Sequence, residues 1–223
     1  MYGSALLQYA ATGEDWFLDY GRRKTVERMT PNFTHTGLHD HGFNTVSTYG
    51  NLLRLRDEGK MGASDAESRV FALALKASGA VQAARWSATH DSRGYIYSFH
   101  GAHSLYADTI RSLRSLALAH RLGHVLGSEN DQYVSLLERL VHHADVTAQF
   151  SVYYGENRDV YDVRGRVAHE SILNAEDGSY RCPSSQQGIP PLPLGRGRWH
   201  GLCVVTRKNW RSLRPPPRTN RSR

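Results

Sequence analysis

Apolar residues recur at helical spacing along most of the chain. Leu6, Leu7 and Tyr9 mark Tyr2–Ala11, and Trp16, Phe17, Tyr20 and Val26 mark Asp15–Met29. Val46, Tyr49, Leu52, Leu53 and Leu55 predict a helix over Asn44–Glu58. Val70, Phe71, Leu73 and Leu75 predict another from Ser64 to about Trp86. Leu105, Ile110, Leu113 and Leu116 place a long helix over Ser104–Leu122, and Val134, Leu137, Leu140 and Val141 place one running to about Phe150. Three Ser/Thr-x-x-Asp/Glu segments sit at the breaks: Thr12–Asp15, Ser64–Glu67 and Ser128–Asp131. Such a hydroxyl can accept from a backbone N–H left open in the first turn, so each predicts a helix start. The repeating unit is a helix, a short break and a capped second helix. It implies an all-α fold of stacked αα-hairpins.

The pattern also shows where the helices stop. Gly94–Phe99 is β-type between glycines, and Val160–His169 alternates like a strand. Connectors within hairpins are short. Those between hairpins, 30–43 and 87–103, are long and rich in His, Asp and aromatic residues. In a ring of hairpins the long connectors gather on one face, which is where a site is expected.

Charge divides the chain in two. Residues 189–223 hold eight Arg, one Lys and no acid, so the first 188 residues carry −2 of the total +7. The basicity belongs to a Pro/Arg-rich tail without periodicity, and no nucleic-acid partner is expected of the helical part. No apolar run is long enough for a membrane span, no signal peptide stands at the start, and Cys182 and Cys203 give neither a zinc spacing nor a disulfide framework. A cytoplasmic, reducing compartment is the expectation, with export left open because the native N-terminus need not be Met1.

The candidate chemistry centres on His39-Asp40-His41. A metal site, a carboxylate doing acid–base work and an ordinary polar loop all fit it. Successive side chains on an extended segment point to opposite sides, which argues against the three sharing one metal. Asp108 is a second acid, at the start of the predicted long helix. If the two long connectors share a face, Asp40 and Asp108 converge, and close carboxylates push their pKa values apart until one is protonated near neutrality. Arg85, Arg93, Arg111 and Arg114 are available for an anionic substrate.

Four segments in order, Leu38-His-Asp-His-Gly-Phe43, Gly94–Phe99, Asp108–His120 and Ser185-Gln-Gln-Gly188, together resemble the unsaturated glucuronyl hydrolases of glycoside hydrolase family 88. The related unsaturated rhamnogalacturonyl hydrolases share that fold. The resemblance implies a partial (α/α)6 barrel, about three hairpins, with a short β segment near 160–182. It implies removal of a 4,5-unsaturated uronic acid from the non-reducing end of lyase-generated oligosaccharides, with no metal or other cofactor. Asp108 then matches the general acid/base and Asp40 the second carboxylate. His169 and Gln187 match substrate-contacting groups, Phe99 a stacking aromatic, and His39 and His41 neighbours of Asp40 at the substrate. A metal phosphohydrolase and a non-catalytic α-hairpin binding module are the alternatives.

After Gly188 the resemblance stops. The family continues with Thr-Trp-Thr-Arg and an inner helix. If the codons from Gly188 to Arg211 are read one base earlier, permitted choices spell such a continuation. Trp199-His200 must then yield Ala and Asn209-Trp210 must yield Leu. The expectation is a hydrolase domain over 1–188, a tail over 189–223 that is out of frame, and a chain of low stability with little or no activity.

Overall fold

The computed structural model describes residues 1–185. Helix α1 (Tyr2–Thr12) ends at Gly13, whose φ of 75° lets its N–H close back onto the Tyr9 carbonyl. Thr12 Oγ1 accepts from the Glu14 N–H, and α2 (Asp15–Met29) returns antiparallel against α1. Only Gly21 and Thr25 of α2 are buried, so Trp16 (65% exposed) and Val26 face outward, unlike the apolar face expected for them.

A 3-10 turn (Thr30–Thr34) leads through the polar connector to a second helical run. The run consists of α3 (His41–Asn44), a π turn (Val46–Gly50) and α4 (Asn51–Asp57). Helix α5 (Asp65–Ala84) opens with a complete capping box: Ser64 Oγ accepts from the Glu67 N–H, and the Glu67 carboxylate accepts from the Ser64 N–H. Strands β1 (Trp86–Ala88) and β2 (Gly94–Ile96) form an antiparallel hairpin with Ser87 opposite Tyr95.

The predicted helix over Ser104–Leu122 is three elements. Ser104–Tyr106 is strand β3, Ala107–Ser112 is a 3-10 helix, and α6 begins only at Leu113 and ends at Arg121. The cause is non-local: β3 pairs with β6 (Glu170–Leu173), Leu105 opposite Ser171 and Tyr106 opposite Glu170, and β7 (Tyr180–Ser184) completes the sheet. Ser128 caps no helix. It precedes a 3-10 turn inside a small hairpin of β4 (Leu126–Gly127) and β5 (Tyr133–Val134), and α7 (Leu136–Ser151) starts on Ser135, whose hydroxyl accepts from the Glu138 N–H. The expected strand at 160–169 is irregular apart from a bridge between Val152 and Val167; the strand itself lies just after it.

The core has two main parts. Leu6, Val46, Tyr49, Leu52, Phe71 and Leu75 tie the first helices together, and Ile96, Ile110, Leu113, Leu116 and Leu136 tie α6 and α7 to the β1–β2 hairpin. Each fully buried large apolar side chain contributes roughly 1.5–3 kcal/mol. Helices α5 and α6 meet at Gly79, where any Cβ would overlap the Ala119 methyl. Among the described residues no helix is long and apolar enough to cross a membrane.

Candidate functional site

The two long connectors meet, and a buried arginine joins them. Arg85 follows α5 and is buried. Its guanidinium donates to the carbonyl oxygens of Thr36 in one connector and of Tyr97 and Ser98 in the other, the last two at 3.1 and 2.8 Å. The group lies 4.4 Å from the Tyr97 ring centre. Arg85 is therefore used up in structure, and Arg93 is paired with Asp91 in the β1–β2 turn. Of the four arginines considered for an anion, Arg111 is the one seen among the acids.

Gly42 allows the second close approach. It packs against the backbone of Arg111 and Ser112, and the Ser112 hydroxyl donates to the His39 carbonyl. Connector and 3-10 helix thus touch through main chain. Asp40, at the N-cap of α3, has φ −97° and ψ 18°. It is not extended, so His39 and Asp40 fall on the same side, and the alternation expected of an extended segment does not apply. His39 Nε2 lies 3.9 Å from Asp40 Oδ1 and 3.7 Å from Asp108 Oδ1. The two acids lie close together.

The surroundings of Asp108 differ from the expectation. Arg111 stands between the two acids, with Nη2 2.5 Å from Asp108 Oδ2 and 3.9 Å from Asp40 Oδ1. Burial pushes the Asp108 carboxyl up, but the approach of His39 and the charge of Arg111 outweigh it and hold the group below the ordinary carboxylate range. The guanidinium sets a positive charge between the two carboxyl groups. His39, Asp40 and Asp108 also have donor atoms all within 4.8 Å of one another, the spacing of a metal donor set. Arg111 already supplies the positive charge at that point.

His41 does not reach the site. It is buried; its Nε2–H donates to the His35 carbonyl at 2.7 Å and its Nδ1 accepts from Ser78 Oγ at 2.9 Å. Burial pushes its pKa down, so it is a neutral brace between the connector and α5 rather than a substrate contact. His39 is likewise covered, under Phe99, whose ring stacks on it at 5.7 Å and 17°. Phe99 itself is 46% exposed and Phe43 60% exposed, with Arg111 5.4 Å over the Phe43 ring. His169 sits in the wall 4.8 Å from the Tyr106 ring. Gln187 lies outside the described residues.

The sequence reading missed Tyr106 and Glu170. Tyr106 packs edge-on against His39 at 5.4 Å and touches Phe99 and His169, so its ring joins three of the candidate groups. Its hydroxyl lies within 3.2 Å of the His100 ring nitrogens. Burial first, then the charges of Glu170 and Asp108, push this phenol well above its usual range. Glu170 is buried and accepts from Ser104 Oγ at 2.5 Å and His100 Nδ1 at 2.9 Å. One signal was available: an acid in the apolar stretch Val167–Leu173 needs a partner.

No protein-family profile matches the chain, and no curated protein does. Solved structures do. Unsaturated glucuronyl hydrolase from Streptococcus agalactiae superposes with a TM-score of 0.64 at 16% identity, over 95% of this chain and 49% of its own. The enzyme from Bacillus sp. GL1, described as responsible for the degradation of glycosaminoglycan, gives 0.59 at 16% over 95% and 55%. An unsaturated glucuronyl hydrolase specific for heparin gives 0.62 at 17% over 84% and 43%. The fold is that of the unsaturated glucuronyl hydrolases. The chain spans about half the length of these neighbours. Within the unsaturated glucuronyl hydrolase fold, the hairpins carry the two acids at one end, where the connectors meet.

Proposed function

We propose that this site belongs to a glycoside hydrolase acting on 4,5-unsaturated glucuronyl residues at the non-reducing end of lyase-generated oligosaccharides. The observation that supports it is the convergence of Asp108 and Asp40 beside the exposed ring of Phe99, in this fold. In this reading Asp108 delivers a proton to C4 of the vinyl ether, water adds at C5, and the hemiketal so formed opens to release the next sugar. Asp40 orients the water. Phe99 offers a flat apolar face to the sugar ring, and His169 and Gln187 contact it. His39 holds Asp108 in place from beneath. The same reading takes 1–188 as part of the hydrolase domain and 189–223 as a tail translated out of frame.

The test compares the 223-residue chain with one in which the frame after Gly188 is set back by one base and read to its stop codon. Each is given an unsaturated glucuronyl disaccharide, and loss of the ultraviolet absorbance of the C4=C5 bond is followed. The first shows little or no turnover. The second turns over, and Asp108→Asn lowers its rate by about 10²-fold or more. A restored chain that is idle, or turnover indifferent to Asp108→Asn, would sink the reading.

A further inference from the structure

An acid that protonates carbon must reach the reaction carrying a proton, yet Asp108 is surrounded by groups that favour its anion. Arg111 meets Oδ2, His39 faces Oδ1, and His169 lies close enough to add to the effect; against them stand the burial of the carboxyl and Asp40 across Arg111. The positive groups differ in access. His39 is buried beneath Phe99, and His169 is buried beside Tyr106. Arg111 is 41% exposed, lies over the outward-facing Phe43 ring, and is held to Asp108 by its Nη2 and by an Nε–H donated to the Asp108 carbonyl at 3.1 Å. A guanidinium has five N–H donors in a planar fork, and a carboxylate arriving from solvent can take two in parallel. Among these groups, Arg111 is the one a solute can draw away from the acid.

We propose that Arg111 is a carboxylate-exchange residue: in the empty site it holds Asp108, and the carboxylate of an incoming uronate takes the guanidinium over, so that Asp108 loses its counter-charge and binds a proton from solvent. The acid is armed by the group that distinguishes a uronic acid from a neutral sugar. A neutral ring can stack on Phe99, but it leaves Arg111 on Asp108 and the carboxyl ionised. Selection for acidic sugars is then exerted on the proton-transfer step as well as on binding. Taking the solute to be a uronate rests on the function proposed above; the exchange itself rests on the geometry of Arg111.

The experiment follows the Asp108 side-chain carboxyl by carbon NMR in the whole 223-residue chain, assigned by its loss in Asp108→Asn. The probes are glucuronate and, as the neutral control, glucose. Arg111→Gln moves the titration midpoint upward. Glucuronate does the same in the unsubstituted chain, adds nothing in Arg111→Gln, and glucose has no effect. Arg111→Lys keeps the low midpoint but, lacking the fork, responds less to glucuronate. A midpoint unmoved by glucuronate, or moved equally with and without Arg111, overturns the proposal. The hydrolysis assay reports separately: Asp108-dependent turnover without exchange removes this inference alone, and exchange without turnover removes the proposed reaction alone.

Discussion

Gly42 lies against the Arg111 carbonyl so closely that any side chain on it would overlap that oxygen and the Ser112 Cα. This contact brings the Asp40 segment onto the Asp108 turn. Gly42→Ala should therefore force the two apart and cost about 1–3 kcal/mol, as overpacking does. Urea denaturation measures it, and the His39 ring resonances should move in the same variant. Gly62→Ala, in open space, is the control and should leave both unchanged.

Arg85→Met should cost on the order of 3 kcal/mol, because it orphans carbonyls in both connectors while keeping most of the apolar stem. Hydrogen exchange should quicken around 36–39 and 97–100 together. Faster exchange in one connector only would show that Arg85 does not join them.

Stability should fall in mild acid. His143 is buried, and its Nδ1 accepts from the Ile96 N–H at 3.0 Å. Burial, with a smaller contribution from His39, pushes its pKa from 6.5 down to about 3. The unfolded imidazole takes a proton near 6.5 and the folded one does not. The stability present above that pH is thus lost as pH drops towards 3, with a slope of at most about 1.4 kcal/mol per pH unit from this group. His143→Asn, whose Oδ1 can accept the same bond, should flatten this limb in a thermal-melt series; an unchanged slope would assign the acid sensitivity elsewhere.

Ser64→Ala should cost about 1 kcal/mol and Ser128→Ala almost nothing, since only Ser64 caps a helix. Comparing their melting temperatures tests whether cap motifs count by spelling or by setting.

That contrast marks how far the sequence could be read. Period and capping are local, so α1, α2 and α5 fall close to where the apolar positions place them. The meeting of the long connectors was also legible, because their length and polarity set them apart from the hairpin turns. Whatever depends on partners distant in sequence was not. Ser104–Tyr106 has helical spacing but is held as a strand by Glu170–Leu173. His41 lies two residues from His39, but Ser78 and the His35 carbonyl turn it into the core. Arg85 spells a free cation until the carbonyls of Thr36, Tyr97 and Ser98 close round it. The charge state of Asp108 depends on an arginine one 3-10 turn away, whose direction no pattern of apolar residues encodes.

The pairing of β3 with β6 also makes the site a matter of counting. Tyr106 and Glu170 are directly opposed at the end of a three-residue ladder. A slip of β3 by one residue would send Tyr106 to the other face and set one of its sequence neighbours opposite Glu170. The wall then tolerates substitution better than insertion. One residue added between His100 and Tyr106 would disarm it more completely than an exchange of either polar group.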